Sequence, residues 1–315
     1  MGVDVLDVKI LKDLIQRRAT APLDPQFRKS FTDIAQKLGV DSDTVRNRVR
    51  KLQQARLLGD WHIVVNPHLL GGDDVAIWLD VEPPAKDSLI DEIKLMQGVF
   101  IITNFLGSRL LFFLRHDNQR FFETQLELVR RISKAQQIEF AKVPWPECTL
   151  KLSKTDWTVL RALQTSPRKT YAAVSKETGL SIRTVKRRLD RLIQGGVAFA
   201  LPQVDPKALQ GGVMAALEVV YPPDLKGEID KTVDNRLEGH VWHILHLLPC
   251  QPGKNQHCVF SLVLWNLSDA KGIVHEVEHL PGVQSAWMHL YEDMIFLFDS
   301  FDEYLARKLS QMPFA

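Results

Sequence analysis

No run of about 18 or more uncharged apolar residues occurs in this sequence, which excludes a membrane-spanning helix. Cysteine is scarce and odd in number: Cys148, Cys250 and Cys258 make no disulfide framework and suit a reducing compartment. Cysteine and histidine pairs with zinc-finger spacing are also missing. Met1 to Leu11 carries acidic residues in place of the continuous apolar core of a signal peptide, so no leader and a cytoplasmic location are expected. Long polar or low-complexity stretches are lacking as well, which excludes a largely disordered chain. What remains is a globular protein of 315 residues, enough for two or more domains with cores of their own.

A net charge of +2 conceals a segregation of sign. Residues 1–66 hold twelve Lys/Arg against eight Asp/Glu, and residues 150–205 hold eleven against four. The rest of the chain is acidic. Two basic islands in an acidic background are the electrostatic footprint of a nucleic-acid binder, because neutralising phosphates requires local positive charge.

The islands repeat one another. Leu38-Gly39-Val40-Asp41-Ser42-Asp43-Thr44-Val45-Arg46-Asn47-Arg48-Val49 aligns with Thr178-Gly179-Leu180-Ser181-Ile182-Arg183-Thr184-Val185-Lys186-Arg187-Arg188-Leu189 at an offset of 140. Asp7 to Leu11 aligns with Asp156 to Leu160 at an offset of 149, so the first copy carries an insertion near Ala21–Arg28, where Pro22 and Pro25 predict a loop. In each copy the pattern predicts three helices. Asp7 is expected to cap the first, Gly39 to end the second, and Asp41 to cap a third with Val45, Val49 and Leu52 on one face. In the second copy Ser181 is the cap, and Val185, Leu189 and Leu192 face inward. Helix, glycine turn, helix is the helix-turn-helix arrangement. The β-prone stretches 61–65 and 197–201 predict a wing, or a strand leading away from it.

The face opposite the apolar stripe carries the chemistry. A helix fits the major groove, where Arg donates a bidentate pair to guanine and Asn to adenine. Thr44, Arg46 and Asn47 are the expected base contacts, and Arg48, Arg50 and Lys51 the expected phosphate contacts. The second copy offers Arg183, Thr184, Lys186, Arg187, Arg188 and Arg191.

After each helix-turn-helix the pattern becomes β-α-β-β-α-β, at residues 75–143 and again at 213–290, which predicts a ferredoxin-like sheet with two helices on one face. Such a sheet leaves its other face in need of a partner, and two units in one chain can cover one another. The expected fold class is α+β: two winged helix-turn-helix domains (1–66 and 148–205) alternating with two ferredoxin-like regulatory domains (67–147, and 206–315 with a C-terminal helix).

Through Asp7-Val-Lys-Ile-Leu, Phe31-Thr-Asp-Ile-Ala, Leu38-Gly-Val, Thr44-Val-Arg-Asn-Arg-Val, Asn66-Pro67 and Leu70-Gly71, the chain resembles the Lrp/AsnC family of bacterial and archaeal regulators, twice over. The resemblance implies a DNA-binding transcription regulator built as a covalent pseudo-dimer, with double-stranded DNA as partner and further homo-oligomerisation through the regulatory domains. It also implies a small-molecule effector near the turn between the second and third strands, here Asn104, Gly107, Ser108 and Arg109. Ser108 stands where relatives carry an acidic residue, which argues against an ordinary amino-acid effector.

Other chemistry is weaker. His275-Glu276-Val277-Glu278-His279 matches the H-E-x-x-H pattern of zinc peptidases, but no third ligand is apparent, and a solvated helix face is expected. Seven of ten histidines lie between His240 and His289, and Cys250, His257 and Cys258 form the obvious candidate cluster for a metal or haem. His240, His243 and His246 share a strand whose side chains alternate, so they do not share a face. The architecture is also similar to that of sirohaem decarboxylases, which occur as fused halves. Their Arg-Glu-His/Asn segment is not evident in Thr103–Ser108 or His243–Leu248. A third reading is an architectural protein that binds DNA through phosphates alone. No catalytic residue, cofactor or metal is assigned.

Overall fold

The computed structural model describes residues 2–15, 28–135, 137–250 and 255–310. The loop expected near Ala21–Arg28 lies outside these apart from Arg28, as does Gly253 in the segment after Cys250.

Each basic island folds as three helices and a strand. The first comprises α1 (Val5–Ile15), α2 (Phe31–Leu38), α3 (Ser42–Gln54) and β1 (Leu58–Val65). Ser30 and Asp33 make a reciprocal capping box that starts α2, and Gly39 ends it at φ 68°, a left-handed conformation that costs glycine little. Asp41 caps α3 by accepting from the Thr44 amide at 2.7 Å. The expectation that Asp7 caps α1 is corrected. Asp4 accepts the Asp7 amide, and Asp7 sits three residues on and accepts the Asp4 amide in return. A carboxylate at either place satisfies an orphan amide, so sequence alone does not separate them.

A strand–helix alternation follows: β2 (Asp73–Asp80), α4 (Pro83–Lys94), β3 (Val99–Phe105), β4 (Arg109–His116), α5 (Gln119–Ser133) and β5 (Ile138–Lys142). The second basic island gives α6 (Lys154–Leu163), α7 (Tyr171–Thr178), α8 (Ile182–Gln194) and β6 (Ala198–Val204). Then come β7 (Val213–Tyr221), α9 (Lys226–Arg236), β8 (Val241–Pro249), β9 (Gln256–Leu264), α10 (Asp269–Glu278), β10 (Ser285–Phe296) and a closing α11 (Asp299–Ser310).

The two β-α-β-β-α-β stretches do not remain separate sheets. Their strands close into one eight-stranded barrel in the order β10-β3-β4-β2-β5-β8-β9-β7. Strand β10 extends to twelve residues because it serves both stretches: Ser285–Leu290 pairs with β7, and most of Tyr291–Phe296 pairs with β3. At the other seam, Ala141 and Lys142 of β5 pair with β8. Closure removes the unpaired strand edges that an open sheet exposes.

Strand alternation divides the core. Trp78, Phe105, Leu111, Phe113, Leu245 and Val259 point into the barrel. Their neighbours pack outward under helices: Ile77, Leu79, Leu110 and Phe112 beneath α4 and α5, and Leu217, Val219, Phe260 and Leu262 beneath α9 and α10. At one end the barrel is joined to the helix-turn-helix units by a ribbon. Strands β1 and β6 pair antiparallel with each other, Val64 opposite Phe199, so they are strands leading away from the helices to one another. Arg115 clips this junction: it holds Asp74 at 2.8 Å, donates to the Val65 carbonyl at 2.9 Å, and lies 4.5 Å over the Phe301 ring of α11.

Candidate nucleic-acid interface

Helices α3 and α8 are built alike on their inner side. Val45, Val49 and Leu52, like Val185, Leu189 and Leu192, are buried in one shared core with α1 and α6. Beneath each helix lies a fully buried carboxylate contributed by the first helix of its unit. Asp156 accepts from Arg188 at 3.4 Å and from Arg191 at 3.0 Å, and closes a capping box with Ser153. Asp7 pairs with Arg48 at 3.2 Å and with Lys51 at 3.1 Å, and Arg48 also binds Asp4. Burial opposes ionisation of Asp156, but the bonds from Ser153 and the charges of Arg188 and Arg191 outweigh it and hold its pKa below the usual carboxylate value.

Four of the expected DNA contacts are therefore engaged inside the protein. Arg48, Lys51, Arg188 and Arg191 are half-buried and fasten the recognition helix to the helix behind it. Pattern reasoning missed Asp7 and Asp156 as their partners because carboxylate and cations lie more than 30 residues apart. The signal was present: an Asp at the start of both copies, and cations at 48/51 and 188/191, recur together. Thr44 and Thr184 are likewise drawn in. The Thr44 hydroxyl donates to Asp41 at 2.7 Å, and that of Thr184 lies 2.9 Å from the Ser181 hydroxyl.

The outward residues differ between the helices. On α3, Arg46 is exposed but pairs with Asp43, and Arg50 donates to Asn47 at 2.8 Å. On α8, Arg183, Lys186 and Arg187 are exposed, and none has a carboxylate partner among the described residues. These three line a shallow groove with Leu150, Asp190 and Gln194.

A second device holds the two units to each other. Arg28 lies 4.7 Å over the Tyr171 ring and donates to the carbonyls of Pro167 and Lys169. Arg168 lies 5.0 Å over the Phe31 ring and donates to the Lys29 carbonyl. Residues 28 and 168, and 31 and 171, are 140 apart, so the contact is reciprocal between the two units. Asn66 ties the units further by donating to the Gly196 carbonyl at 2.8 Å.

The expected effector residues are not gathered on one face. Asn104 pairs in register with Leu110 on the helix-covered side and donates to Glu292 at 3.1 Å. The carbonyl of Gly107 (φ 91°) accepts from Lys86. Ser108 and Arg109 both bond Asp80, and Arg109 points into the barrel towards Glu139 and the buried Glu218 at 3.4 and 3.5 Å. Burial opposes the Glu218 charge, but His257, His289 and Arg109 hold it well below the usual carboxylate range. Inside the barrel, a mostly apolar cavity of about 100 Å³ is bounded by residues including Thr103, Trp242, His243, Ser261 and Tyr291.

The candidate cluster Cys250, His257 and Cys258 is not assembled. Strand alternation sends His257 into the barrel beside Glu218, while Cys258 points outward under α9. His275 and His279 lie against each other with tilted rings on an exposed helix face, with Glu276 paired to Arg236. No third ligand joins them among the described residues. No helix among those residues is long and apolar enough to cross a membrane.

Two three-helix units, each with a helix, a glycine turn and a second helix, are joined by a strand ribbon to a helix-covered barrel, which is a helix-turn-helix architecture. A family model for winged helix-turn-helix DNA-binding domains matches residues 152–197, the second unit. Among sequence relatives, the HTH-type transcriptional regulator Ptr1 of Methanocaldococcus jannaschii is 33% identical over 93 residues, covering 29% of this chain and 57% of that protein. The HTH-type transcriptional regulator LrpA of Pyrococcus horikoshii is 30% identical over 87 residues, covering 27% and 56%. The match spans little more than half the length of these relatives. A solved structure, the siroheme decarboxylase NirDL, shares the fold over 97% of this chain and 98% of its own, with a TM-score of 0.58 at 13% identity.

Proposed function

We propose that the chain is a sequence-specific DNA-binding transcription regulator: a tandem duplication of helix-turn-helix and ferredoxin-like units, folded as a covalent pseudo-dimer. The observation that carries this reading is the exposed cationic face of α8, with Arg183, Lys186 and Arg187 outside any ion pair among the described residues, on a helix clamped from behind by Asp156. Rigid presentation of unpaired cations is what a phosphate surface attracts, and Arg is the side chain best suited to reading guanine. Because α3 is partly self-neutralised, α8 supplies most of the affinity, and α3 contributes selectivity through Arg46 and Asn47. Half-sites in the target are therefore unequal.

The barrel uses both edges of each sheet, so further assembly would engage helical faces and not strand edges. A small-molecule effector acts, in this reading, by competing for the carboxylates that now hold Arg109.

The extent of the fold shared with siroheme decarboxylase NirDL supports an enzymatic reading as runner-up. Against it stands the exposed cationic face of α8, which a phosphate surface explains and a small-molecule site does not. Fluorescence anisotropy on a labelled duplex across a salt series tests the proposal. The expected result is tight binding with a steep salt slope that becomes shallower in an Arg183→Ala/Arg187→Ala variant. Absence of DNA binding, together with a shifted absorption band on adding an iron tetrapyrrole, would transfer the assignment to the enzyme.

A further inference from the structure

The two halves of the barrel differ most beneath the first helix of the second β-α-β-β-α-β stretch. There Tyr221, Asp230, His246 and Cys258 are all buried, from β7, α9, β8 and β9 respectively. His246 Nδ1 lies 3.1 Å from Asp230 Oδ2, 3.4 Å from Cys258 Sγ and 3.1 Å from Lys226 Nζ. Lys226 Nζ is also 2.7 Å from Asp230 Oδ2.

His246 meets three polar neighbours at one nitrogen. With Nδ1 bare it accepts from Lys226, whose ammonium also donates to Asp230 and so bridges two acceptor atoms 3.1 Å apart, while the buried Nε2 has no partner among the described residues. With Nδ1 protonated it donates to Asp230, but then it opposes the ammonium. Three lone-pair atoms of oxygen, nitrogen and sulfur converge on one place, which Lys226 fills with positive charge. The three ligand atoms lie within 4.8 Å of one another. Bonds of about 2.0–2.3 Å to a tetrahedral zinc ion put ligand atoms about 3.4 Å (N to O) and about 3.6 Å (N to S) apart, close to the 3.1 and 3.4 Å observed.

We propose that Asp230, His246 and Cys258 form a binding site for a borderline-soft divalent cation, zinc being the natural occupant, with Lys226 holding the place of the ion.

The ligand set, one thiolate, one imidazole and one carboxylate, selects zinc-like ions over magnesium or calcium, which prefer oxygen alone. Charge balances in both states. Lys226 and Asp230 cancel now. On metal binding the thiol releases its proton to solvent, and the two anions cancel the ion, while Lys226, partly exposed on the first turn of α9, swings outward. Tyr221 donates to Asp230 Oδ1, which orients the carboxylate and leaves Oδ2 for the ion, the role of an outer-sphere partner.

The first half of the chain supplies the contrast. At matching places it has Val81, Ile90, Asn104 and Leu110, as the shared offset and the pairing of Asn104 with Leu110 and of His246 with Cys258 show. Only the lysine is kept. Lys86 donates to the carbonyls of Phe105 and Gly107 and faces no thiol or imidazole. Both versions fold with a lysine here, so the fold does not require the four-residue cluster.

Cobalt titration of the purified, chelator-treated full chain tests the site. One Co²⁺ per chain with a sulfur-to-cobalt charge-transfer band in the near ultraviolet is expected. The band is lost in Cys258→Ala and retained in Cys250→Ala. Lys226→Gln removes the competing cation while keeping all three ligands and is expected to tighten Co²⁺ binding by about tenfold, the size of effect that one neighbouring like charge has on binding a proton. No charge-transfer band in the folded wild type, a band that survives in Cys258→Ala, or unchanged affinity in Lys226→Gln would overturn the assignment. Far-ultraviolet circular dichroism of each variant confirms that its readings come from folded protein.

Discussion

Helices α3 and α8 occupy equivalent places, yet they present different surfaces. Behind each, a buried aspartate grips two basic side chains, Asp7 with Arg48 and Lys51, Asp156 with Arg188 and Arg191. In front, α3 sets Asp43 against Arg46 and ties the still-charged Arg50 to the neutral Asn47, while α8 leaves Arg183, Lys186 and Arg187 to the solvent. The clamp is scaffold and is repeated. The outer face is where the copies differ, and that is where a difference in target recognition would reside. A count of basic residues on each helix blurs this, because four of the nine are structural.

The largest expected effect on DNA comes from α8. An Arg183→Ala/Arg187→Ala variant should lose affinity for any duplex, and the slope of log K against log salt should become shallower by about two. Arg46→Ala should change the slope by less and mainly lower the ratio of specific to non-specific binding. Equal slopes for the two variants would remove the proposed asymmetry.

The clamp gives the next effect. Asp156→Ala strands Arg188 and Arg191 and removes the carboxylate half of a capping box, which should cost about 2–3 kcal/mol in thermal or urea unfolding. The folded pKa of Asp156 lies below its unfolded value, so its contribution is full above about pH 4, the unfolded value, and is lost as pH falls through the folded pKa. The gap in stability between wild type and Asp156→Ala should therefore close on acidification. A gap that widened would contradict the ion pairs. Lys51→Ala, which simple surface logic treats as the loss of a phosphate contact, should instead behave as a milder clamp variant.

A smaller change sharpens the comparison from the other side. Asp43→Asn releases Arg46 and should raise affinity for random duplex a few-fold, about 0.5–1 kcal/mol, as expected for an exposed pair. The smallest effect belongs to the reciprocal contacts. Tyr171→Ala and Phe31→Ala each remove one cation–π contact and should destabilise by similar amounts, about 1 kcal/mol beyond the packing lost. Unequal costs beyond packing would show that the pseudo-symmetry is only geometric.

Much of the fold was legible in the sequence because its signals are local. Glycine turns, caps and three- and four-residue spacings marked α2, α3, α7 and α8, and alternation marked the strands. Barrel closure was not legible beyond the expectation that the sheets cover one another, since the β3–β10 and β5–β8 seams join residues more than 100 positions apart. Strand β10 accordingly ran longer than its alternation suggested. Of the expected interface, Arg46, Asn47, Arg50, Arg183, Lys186 and Arg187 are exposed, while Thr44, Thr184 and the four clamp cations are not free to read DNA. The cysteine–histidine cluster was misplaced because neighbouring residues on a strand, His257 and Cys258, point to opposite faces. The partners of Cys258 come from α9 and β8, which only the folded sheet brings to it.

Selection from random duplex DNA at about 150 mM salt, where phosphate attraction alone does not dominate, tests the central claim most directly when run on the wild type beside the Arg183→Ala/Arg187→Ala variant. The account predicts an enriched site with two unequal halves in the wild type, and loss of the stronger half in the variant. Binding without enrichment, or two equal halves untouched by the variant, would contradict it.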